Sequence, residues 1–273
     1  MASHNPLVSI AMITYNHENF ISEAIEGVLK QKTDFSFELI IGEDGSIDRT
    51  RLTCQEYADS FPDKIILLPF SKRLGMMDNL INVFNHCRGK YVAFCEGDDY
   101  WSDPKKLQKQ FDFLENNPNV FFSFHSSSIL SDDKIIGKRP NSGSGYVKME
   151  DLLFRKTYPS LSLFYRNADN IHGEFSELSP YFLTADFPLV LLLASKGKGY
   201  LFSDDMGVYR LHSGGVYSQL SEIKKLQSGI HNRRAALNHI PMNFKQKMIC
   251  RLMIYLRWGK IVLLKFKSFL KRY

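Results

Sequence analysis

Three carboxylates lie within four residues in the segment CEGDDYW at 95–101, where an apolar run ends and two aromatic residues follow. Like charges this close repel and raise one another's pKa unless a cation lies among them. A hard divalent ion with oxygen ligands is the usual partner, and Mg²⁺ or Mn²⁺ bridged to a diphosphate fits this pattern. A solvated acidic turn that caps the next helix is the alternative interpretation.

A second acidic loop occurs in GEDGSIDRT at 42–50, again after an apolar run. Aspartate and glycine are common turn formers, so a structural turn explains this segment equally well when it is taken alone. Asp48 is placed to cap the helix that follows. The case for a ligand site therefore depends on both loops lying at the same edge of one sheet.

Periodicity over the first 115 residues predicts the elements that hold these loops. Short apolar runs predict strands at 8–13, 37–41, 64–68 and 91–95, with amphipathic helices between them. This alternation predicts an α/β fold with a mostly parallel central sheet, whose ligand crevice lies beyond the carboxyl ends of the strands. The candidate ligand residues at those ends are Thr14, Tyr15, Asn16, Glu43, Asp44, Glu96, Gly97 and Asp98.

The remaining elements are less regular. Asp103 before Pro104 predicts the start of a helix, because proline is well suited to the first helical position. Farther along, strands are predicted at 120–124 and 134–136, a flexible loop at 141–145 and a buried helix at 187–194. A boundary near residue 217 is inferred from the charge distribution.

Charge separates the chain into an acidic body and a basic tail. All 29 acidic residues precede residue 223, so residues 1–222 carry a net charge of −7 (22 − 29), whereas residues 223–273 hold 13 Lys and Arg. No run in the tail reaches the roughly 20 apolar residues that span a bilayer. We expect a basic amphipathic helix, interrupted near Gly259, on an anionic membrane surface. A helix packed on the body and a dimer contact are the alternatives, and nucleic-acid binding is disfavoured.

Composition restricts the class of protein. A chain of 273 residues with 44% apolar residues predicts a folded protein rather than a disordered or fibrous one. The four cysteines lie far apart, which is typical neither of a zinc site nor of a dense disulfide framework. The N-terminal segment lacks the pattern of a signal peptide, so a cytoplasmic protein is expected.

Three segments, VSIAMITYN at 8–16, FELIIGEDGSIDRT at 37–50 and KYVAFCEGDDYWSDPKKLQKQ at 90–110, resemble in order and spacing the successive hallmarks of family 2 glycosyltransferases. The resemblance is close up to about residue 120 and looser to 215. It implies the GT-A fold, a Rossmann-like α/β domain that binds a nucleotide sugar.

The resemblance also implies a domain organisation. We expect a catalytic domain at 1–217, with nucleotide-sugar binding at 1–118 and acceptor binding at 119–217. The basic helical tail at 218–273 lies outside the resemblance.

Roles for the strand-end residues follow from the same resemblance. It implies that Tyr15 packs on the nucleotide base and that Asp44 hydrogen-bonds a uracil, so the donor is expected to be a UDP-sugar. Asp98 resembles the final acid of the family's Asp-x-Asp motif, which ligates Mn²⁺ or Mg²⁺ on the diphosphate. Glu96 stands where the first acid is usually aspartate. Its longer arm leaves open a contact with the ribose, a water-mediated contact with the metal, or neither.

Four residues farther along the chain are also candidates. Arg73 replaces an arginine that the family has near Met76, and a solvated surface arginine is the alternative. Asp186 resembles the acid-base residue ahead of the last core helix, although a helix N-cap explains it equally well locally. Arg210 resembles an arginine that neutralises the diphosphate, and His212 resembles a metal ligand or a phosphate donor, with a structural histidine as the alternative.

These inferences predict a metal-dependent, inverting transfer of a sugar to a hydroxyl of a glycan or lipid-linked acceptor. The expected setting is cell-surface polysaccharide synthesis at the inner face of the cell membrane. A non-catalytic protein that holds a nucleotide sugar or glycan on the same fold is the alternative. A nucleotidyltransferase would show a Gly-rich basic signature near the N-terminus, which this sequence lacks.

Overall fold

A mixed β-sheet forms the centre of the computed structural model, which describes residues 6–154, 158–168, 170–215 and 220–270. The strands are β1 (Val8–Thr14), β2 (Phe37–Glu43), β3 (Ile65–Leu67), β4 (Tyr91–Phe94), β5 (Tyr100–Trp101), β6 (Val120–Ser131), β7 (Lys134–Arg139), β8 (Gly145–Val147), β9 (Phe164–Arg166) and β10 (Lys198–Leu211). The helices are α1 (Ile21–Leu29), α2 (Thr50–Ser60), α3 (Met76–His86), α4 (Lys106–Asn116), α5 (Met149–Phe154), α6 (Ile171–Leu178), α7 (Asp186–Lys196), α8 (Glu222–His239) and α9 (Phe244–Leu270).

The strand order is β3-β2-β1-β4-β9-β6-β10-β5, with β7 on β6 and β8 on β10 outside this path. Strands β3, β2, β1 and β4 are mutually parallel, and β6 runs parallel to β10. Strand β9 is antiparallel to both β4 and β6 and joins the two halves. The α/β fold predicted from the sequence is confirmed, and the parallel half contains the four strands predicted first.

Strand β1 is buried on both faces, which explains its nearly continuous apolar sequence. Successive side chains of a strand point to opposite faces. Accordingly, Val8, Ile10 and Met12 pack in the core beneath α1, α2 and α4. Ala11 and Ile13 pack in the core beneath α3, α6 and α7. Strand β1 is thus packed between two layers of helices.

The fourth helix begins later than the sequence predicts. It starts at Lys106, because residues 103–105 form a turn in front of it. Asp103 Oδ1 accepts a hydrogen bond from Lys105 N–H at 2.8 Å, and Lys106 N–H donates to Asp103 O at 3.1 Å. The carboxylate thus caps the turn. Asp48 lies one residue before the N-cap position of α2, which is Arg49, and no side-chain cap hydrogen bond forms there. Its Oδ1 instead accepts from Thr50 N–H at 2.9 Å in the turn that leads into the helix.

The basic tail contains two helices, and both α8 and the first part of α9 pack on the body, where Cys250 of α9 is buried in the same core cluster as Leu152 of α5. Asn232 Oδ1 accepts from Leu183 N–H at 2.9 Å, and Arg233 Nη2 donates to Leu153 O at 2.9 Å. The boundary predicted near residue 217 lies outside the described residues. Across the described ranges, no helix combines the length and the apolar character needed to cross a membrane.

Helix α9 continues through Gly259, so the predicted interruption there is wrong. Glycine inside a helix costs only about 1 kcal/mol relative to alanine, and packing readily offsets that cost. Ile254 and Ile261 lie on either side of Gly259 and are buried in a small cluster with Ile230 of α8. Tertiary contact therefore overrides the local propensity of the glycine.

Candidate functional site

Three loops meet at the carboxyl edge of β1, β2 and β4, where the sequence predicts the ligand crevice. Asp44 N–H donates to Thr14 O at 3.1 Å, and Gly97 N–H donates to Ile13 O at 3.0 Å. A Cβ at Gly97 would lie 2.5 Å from Thr14 Oγ1, so only glycine fits between the loops without a shift. The structure thus brings the candidate residues of the three loops together.

One carboxylate oxygen at this edge faces two imidazole rings. Asp98 Oδ2 lies 3.1 Å from His212 Nε2 and 3.8 Å from His17 Nε2. One donor atom from each of these residues lies within 4.8 Å of the other two. Carboxylate and imidazole groups both ligate divalent cations, so the donor set fits a metal ion. The sequence predicts Asp98 and His212 here but not His17, whose signal is its place three residues after the end of β1.

The ionisation of Asp98 is set by these rings. Burial would raise the pKa of Asp98, but the hydrogen bond from His212 and the nearby His17 outweigh it and hold that pKa below its ordinary value. Burial lowers the pKa of His17, and the charge of Asp98 opposes this only in part. Asp98 therefore carries negative charge where a cation would bind.

The neighbouring carboxyl groups behave in the opposite way. Burial, together with the charge of Asp98, raises the pKa of Glu96 to about 8, although Ser160 Oγ donates to Glu96 Oε2 at 2.5 Å. Burial and the charges of Asp98 and Glu96 raise the pKa of Asp99 well above its ordinary value. Asp99 belongs to the three-carboxylate segment at 95–101 but is not among the predicted ligand residues, and Ser160 is absent from the sequence prediction because it has no motif of its own.

His212 is held in one tautomer by its own loop. Gly214 N–H donates to His212 Nδ1 at 3.2 Å, which places the ring proton on Nε2, facing Asp98. Ligation of a metal through Nε2 therefore requires the exposed contact at Gly214 to open. The ring of Phe20, just before α1, packs against the His212 imidazole with the two ring centroids 4.7 Å apart.

Arg210 holds the acidic loop in place. Its backbone N–H donates to Asp99 Oδ1 at 2.9 Å, and its Nη1 donates to Asp98 O at 2.8 Å. Its Nη2 pairs with Glu23 of α1, and its guanidinium lies 4.5 Å from the centre of the Tyr100 ring. The sequence predicts a diphosphate contact for this residue, whereas the structure places the guanidinium against the protein itself.

The predicted nucleotide side forms a compact group. The Arg73 guanidinium stacks 3.9 Å from the centre of the Tyr15 ring, and its Nε lies 3.8 Å from Asp44 Oδ2. Asp44 also accepts from Leu74 N–H at 2.6 Å and from Gly75 N–H at 2.9 Å. A cavity of about 390 Å³ borders Asp44. A base that stacks on this face of Tyr15 must first displace Arg73.

Asn16 fastens the loop after β1 to the loop after β2, and Glu43 ties the second of these loops to α2. Asn16, with φ 55°, accepts from Ile47 N–H at 3.0 Å, and its own N–H donates to Ser46 Oγ at 2.9 Å. The buried Glu43 accepts from Ser46 N–H at 2.6 Å and pairs with Arg51 at 3.1 Å. These contacts make the loops after β1 and β2 one unit.

The carboxylate of Asp186 lies at the N-terminal end of α7. Asp186 is the first residue of the helix, and no side-chain cap hydrogen bond is formed at that end. The capping alternative therefore lacks support in the structure. Its carboxylate is exposed, and its charge is one of the causes that raise the pKa of Glu96. Asp186 thus lies within electrostatic range of the acidic loop.

Comparisons with known proteins identify a family model and several relatives that match this chain. The family model described as Glycosyl transferase family 2 matches residues 9–175. Rv1520 of Mycobacterium tuberculosis, an uncharacterised protein, is 32% identical over 77% of this chain and 60% of its own length. WfgD of Escherichia coli, a UDP-Glc:alpha-D-GlcNAc-diphosphoundecaprenol beta-1,3-glucosyltransferase, is 35% identical over 48% of this chain and 50% of its own length. The chain thus spans 50–60% of the length of these relatives.

Two solved structures share the fold. TarS 1-349 of S. aureus, in complex with UDP-GlcNAc, has a TM-score of 0.70 at 16% identity, covering 90% of this chain and 71% of that one. The mannosyltransferase PcManGT from Pyrobaculum calidifontis, in complex with GDP-Man and Mn²⁺, has a TM-score of 0.66 at 16% identity, covering 93% of this chain and 70% of that one.

The raised pKa of Glu96 predicts a pH dependence of stability. The unfolded chain releases this proton near pH 4.5, while the folded chain holds it until about pH 8. The free energy of unfolding should therefore fall as pH rises through that window. In EDTA, Glu96→Gln should lose less stability than the wild type between pH 5 and 8 in urea denaturation. Glu56→Gln, an exposed carboxyl on α2, is the control, and parallel curves for Glu96→Gln and wild type would contradict the assignment.

Proposed function

Because the chain belongs to glycosyl transferase family 2 and has the GT-A fold, we propose that it transfers a sugar from a nucleoside diphosphate donor to a hydroxyl group of a glycan or lipid-linked acceptor. The observation that carries this proposal is the meeting of Asp98 with two imidazoles beside the loops that hold Tyr15 and Asp44. The expected setting is cell-surface polysaccharide synthesis.

A UDP-sugar is the proposed donor, carrying a hexosyl or N-acetylhexosaminyl group. TarS is bound to UDP-GlcNAc and the name of WfgD specifies UDP-Glc, which supports uridine, whereas PcManGT is bound to GDP-Man. The carboxylate of Asp44 can accept hydrogen bonds from the nucleotide base, and the ring of Tyr15 can stack on that nucleotide base once Arg73 moves away. Thr14, Asn16, Glu43 and Gly97 shape this side through the contacts that fasten the loops.

A divalent cation, Mn²⁺ or Mg²⁺, held by Asp98 and His212 would neutralise charge on the leaving diphosphate. Asp98 supplies a carboxylate that burial has not neutralised. Arg210 holds the loop that carries Asp98 and thereby fixes its direction. Glu96 remains tied to Ser160 and stands next to the ligand group rather than within it.

Asp186 is the proposed general base. Its exposed carboxylate would take the proton of the acceptor hydroxyl, which then attacks the anomeric carbon opposite the diphosphate. Attack from that side inverts the anomeric configuration.

Helix α9 is the proposed membrane contact, which would place the chain at the inner, cytoplasmic face of the cell membrane. A row of apolar residues, each 47–77% exposed, lies along one side of the helix. Its members are Phe244, Met248, Leu252, Tyr255, Val262, Phe266 and Phe269. Because every charged residue after Glu222 is basic, this surface suits an anionic leaflet that presents lipid-linked acceptors.

Nucleotide titration tests the donor site. The wild type should bind UDP in the presence of Mn²⁺, more tightly than GDP, and Asp98→Ala should weaken this binding at least about tenfold because a metal ligand is lost. Isothermal titration calorimetry with UDP and GDP, with and without Mn²⁺, is the measurement, and Asp63→Ala, an exposed acid, is the control. Absence of nucleotide binding by the wild type under every condition would refute the proposed function.

Measuring donor binding and turnover separately tests the role of Asp186 as the general base. Asp186→Asn should lower kcat for transfer or donor hydrolysis by about 10²–10⁴-fold, because the acceptor proton loses its recipient. The affinity for UDP and Mn²⁺ should remain unchanged. Glu177→Gln, an exposed carboxyl on α6, is the control. A wild type that binds UDP-sugars without any transfer or hydrolysis would instead support the non-catalytic binding protein.

Vesicle binding tests the role of α9. The wild type should sediment with vesicles that contain phosphatidylglycerol but not with pure phosphatidylcholine, and high salt should weaken the binding. The triple variant Tyr255→Ser, Val262→Ser, Phe266→Ser should bind at least about tenfold more weakly, since apolar area is lost. Ile135→Ser with Ile136→Ser removes exposed apolar residues from β7 and is the control. Equal binding by the triple variant would exclude this surface as the membrane contact.

A further inference from the structure

His17 points the same ring atom at Asp98 as His212 does, from the opposite end of the chain. Its Nε2 lies 3.8 Å from the Asp98 Oδ2 that His212 Nε2 approaches to 3.1 Å. The two imidazole rings meet edge to face, with centroids 5.9 Å apart. The three donor atoms thus converge on one small volume, as the ligands of a single ion do.

The second nitrogen of His17 already has a partner. His17 Nδ1 lies 3.1 Å from Thr14 Oγ1. The tautomer that donates from Nδ1 to this hydroxyl leaves the Nε2 lone pair directed at the cluster. Metal-ligating histidines almost always bond through their other nitrogen in this way, which fixes the tautomer and the ring orientation. Thr14 is therefore suited to orient His17, a role distinct from a direct contact with the nucleotide sugar.

The backbone of His17 is also fixed. Its N–H donates to Thr50 Oγ1 at 2.7 Å, at the start of α2. The preceding residue, Asn16, is bonded in both directions to the loop after β2. A ligand held by its neighbours on two sides needs little reorganisation when an ion binds.

We propose that His17 is a third protein ligand of the divalent cation, so that Asp98, His17 and His212 form a two-histidine, one-carboxylate site. This inference rests on the proposed function, whose metal it completes. The remaining coordination positions would be filled by diphosphate oxygens and water. Two imidazole donors favour a transition metal over Mg²⁺, which is usually bound through oxygen ligands. The site should therefore prefer Mn²⁺ to Mg²⁺.

Metal binding to the full-length chain tests this assignment without any turnover. Free Mn²⁺ is measured by electron paramagnetic resonance, with and without saturating UDP, and Mg²⁺ is added as a competitor. His17→Ala should weaken Mn²⁺ binding at least about tenfold and should reduce the preference for Mn²⁺ over Mg²⁺. Thr14→Val should have a smaller effect in the same direction. His231→Ala, an exposed histidine on α8, is the matched control, and thermal unfolding checks that each variant is folded.

The outcomes separate the inference from the proposed function. If His17→Ala binds Mn²⁺ as the wild type does while Asp98→Ala does not, His17 is not a ligand and the proposed function stands. If His17→Ala fails to fold, His17→Gln, which keeps a polar side chain of similar length, replaces it in the same titration. A wild type that binds Mn²⁺ neither alone nor with UDP would overturn the inference. Loss of UDP binding as well would overturn the proposed function with it.

Discussion

Repulsion among the carboxyl groups of Glu96, Asp98 and Asp99 constrains this whole edge of the sheet. Burial at the end of β4 removes the water that would screen them, so each group needs a partner or a proton. Each receives a different one: Asp98 faces imidazole, Asp99 accepts the Arg210 backbone N–H, and Glu96 accepts the Ser160 hydroxyl. The unequal partners separate the pKa values, so that Asp98 keeps its charge while the other two favour the proton.

The partners of these carboxyl groups come from distant parts of the chain, and two of them, Arg210 and His212, lie at the end of the long strand β10. Strand β10 runs parallel to β6 and pairs with the short β5, which follows the acidic loop. This pairing places Arg210, and His212 just after the end of β10, beside Asp98. The β6–β10 pairing shifts register between Phe202 and Val208. Such irregularities bend a strand and re-aim its side chains. The second half of the sheet thus completes a site whose first half is formed by β1, β2 and β4.

Predictions from the sequence succeed where a feature depends on neighbouring residues. The strands and the two acidic loops have local signals, and the structure has them. Arg210 marks the limit, because its guanidinium is shared between Glu23 and the carbonyl of Asp98, and no short window contains both partners. His17 is missed for a related reason, because a single histidine has no periodicity. It can be recognised as a candidate metal ligand only in the fold, where His212 at the end of β10 lies beside it. In α9, packing of distant residues overrides the local signal of Gly259.

The site divides into a fixed part and an adjustable part. The loops after β1 and β2 hold each other through Asn16, and the acidic loop is held by Arg210, so the groups nearest the proposed metal position have little freedom. By contrast, Arg73 is 61% exposed, and the Gly214 contact that sets the His212 tautomer lies at the surface. Binding of a donor at this edge would replace the contacts of Arg73 with Tyr15 and Asp44, and the contact of Gly214 with His212, by contacts with the ligand. Because ordering costs weaken binding, placing the adjustment there would leave the proposed metal ligands preorganised for a charged diphosphate.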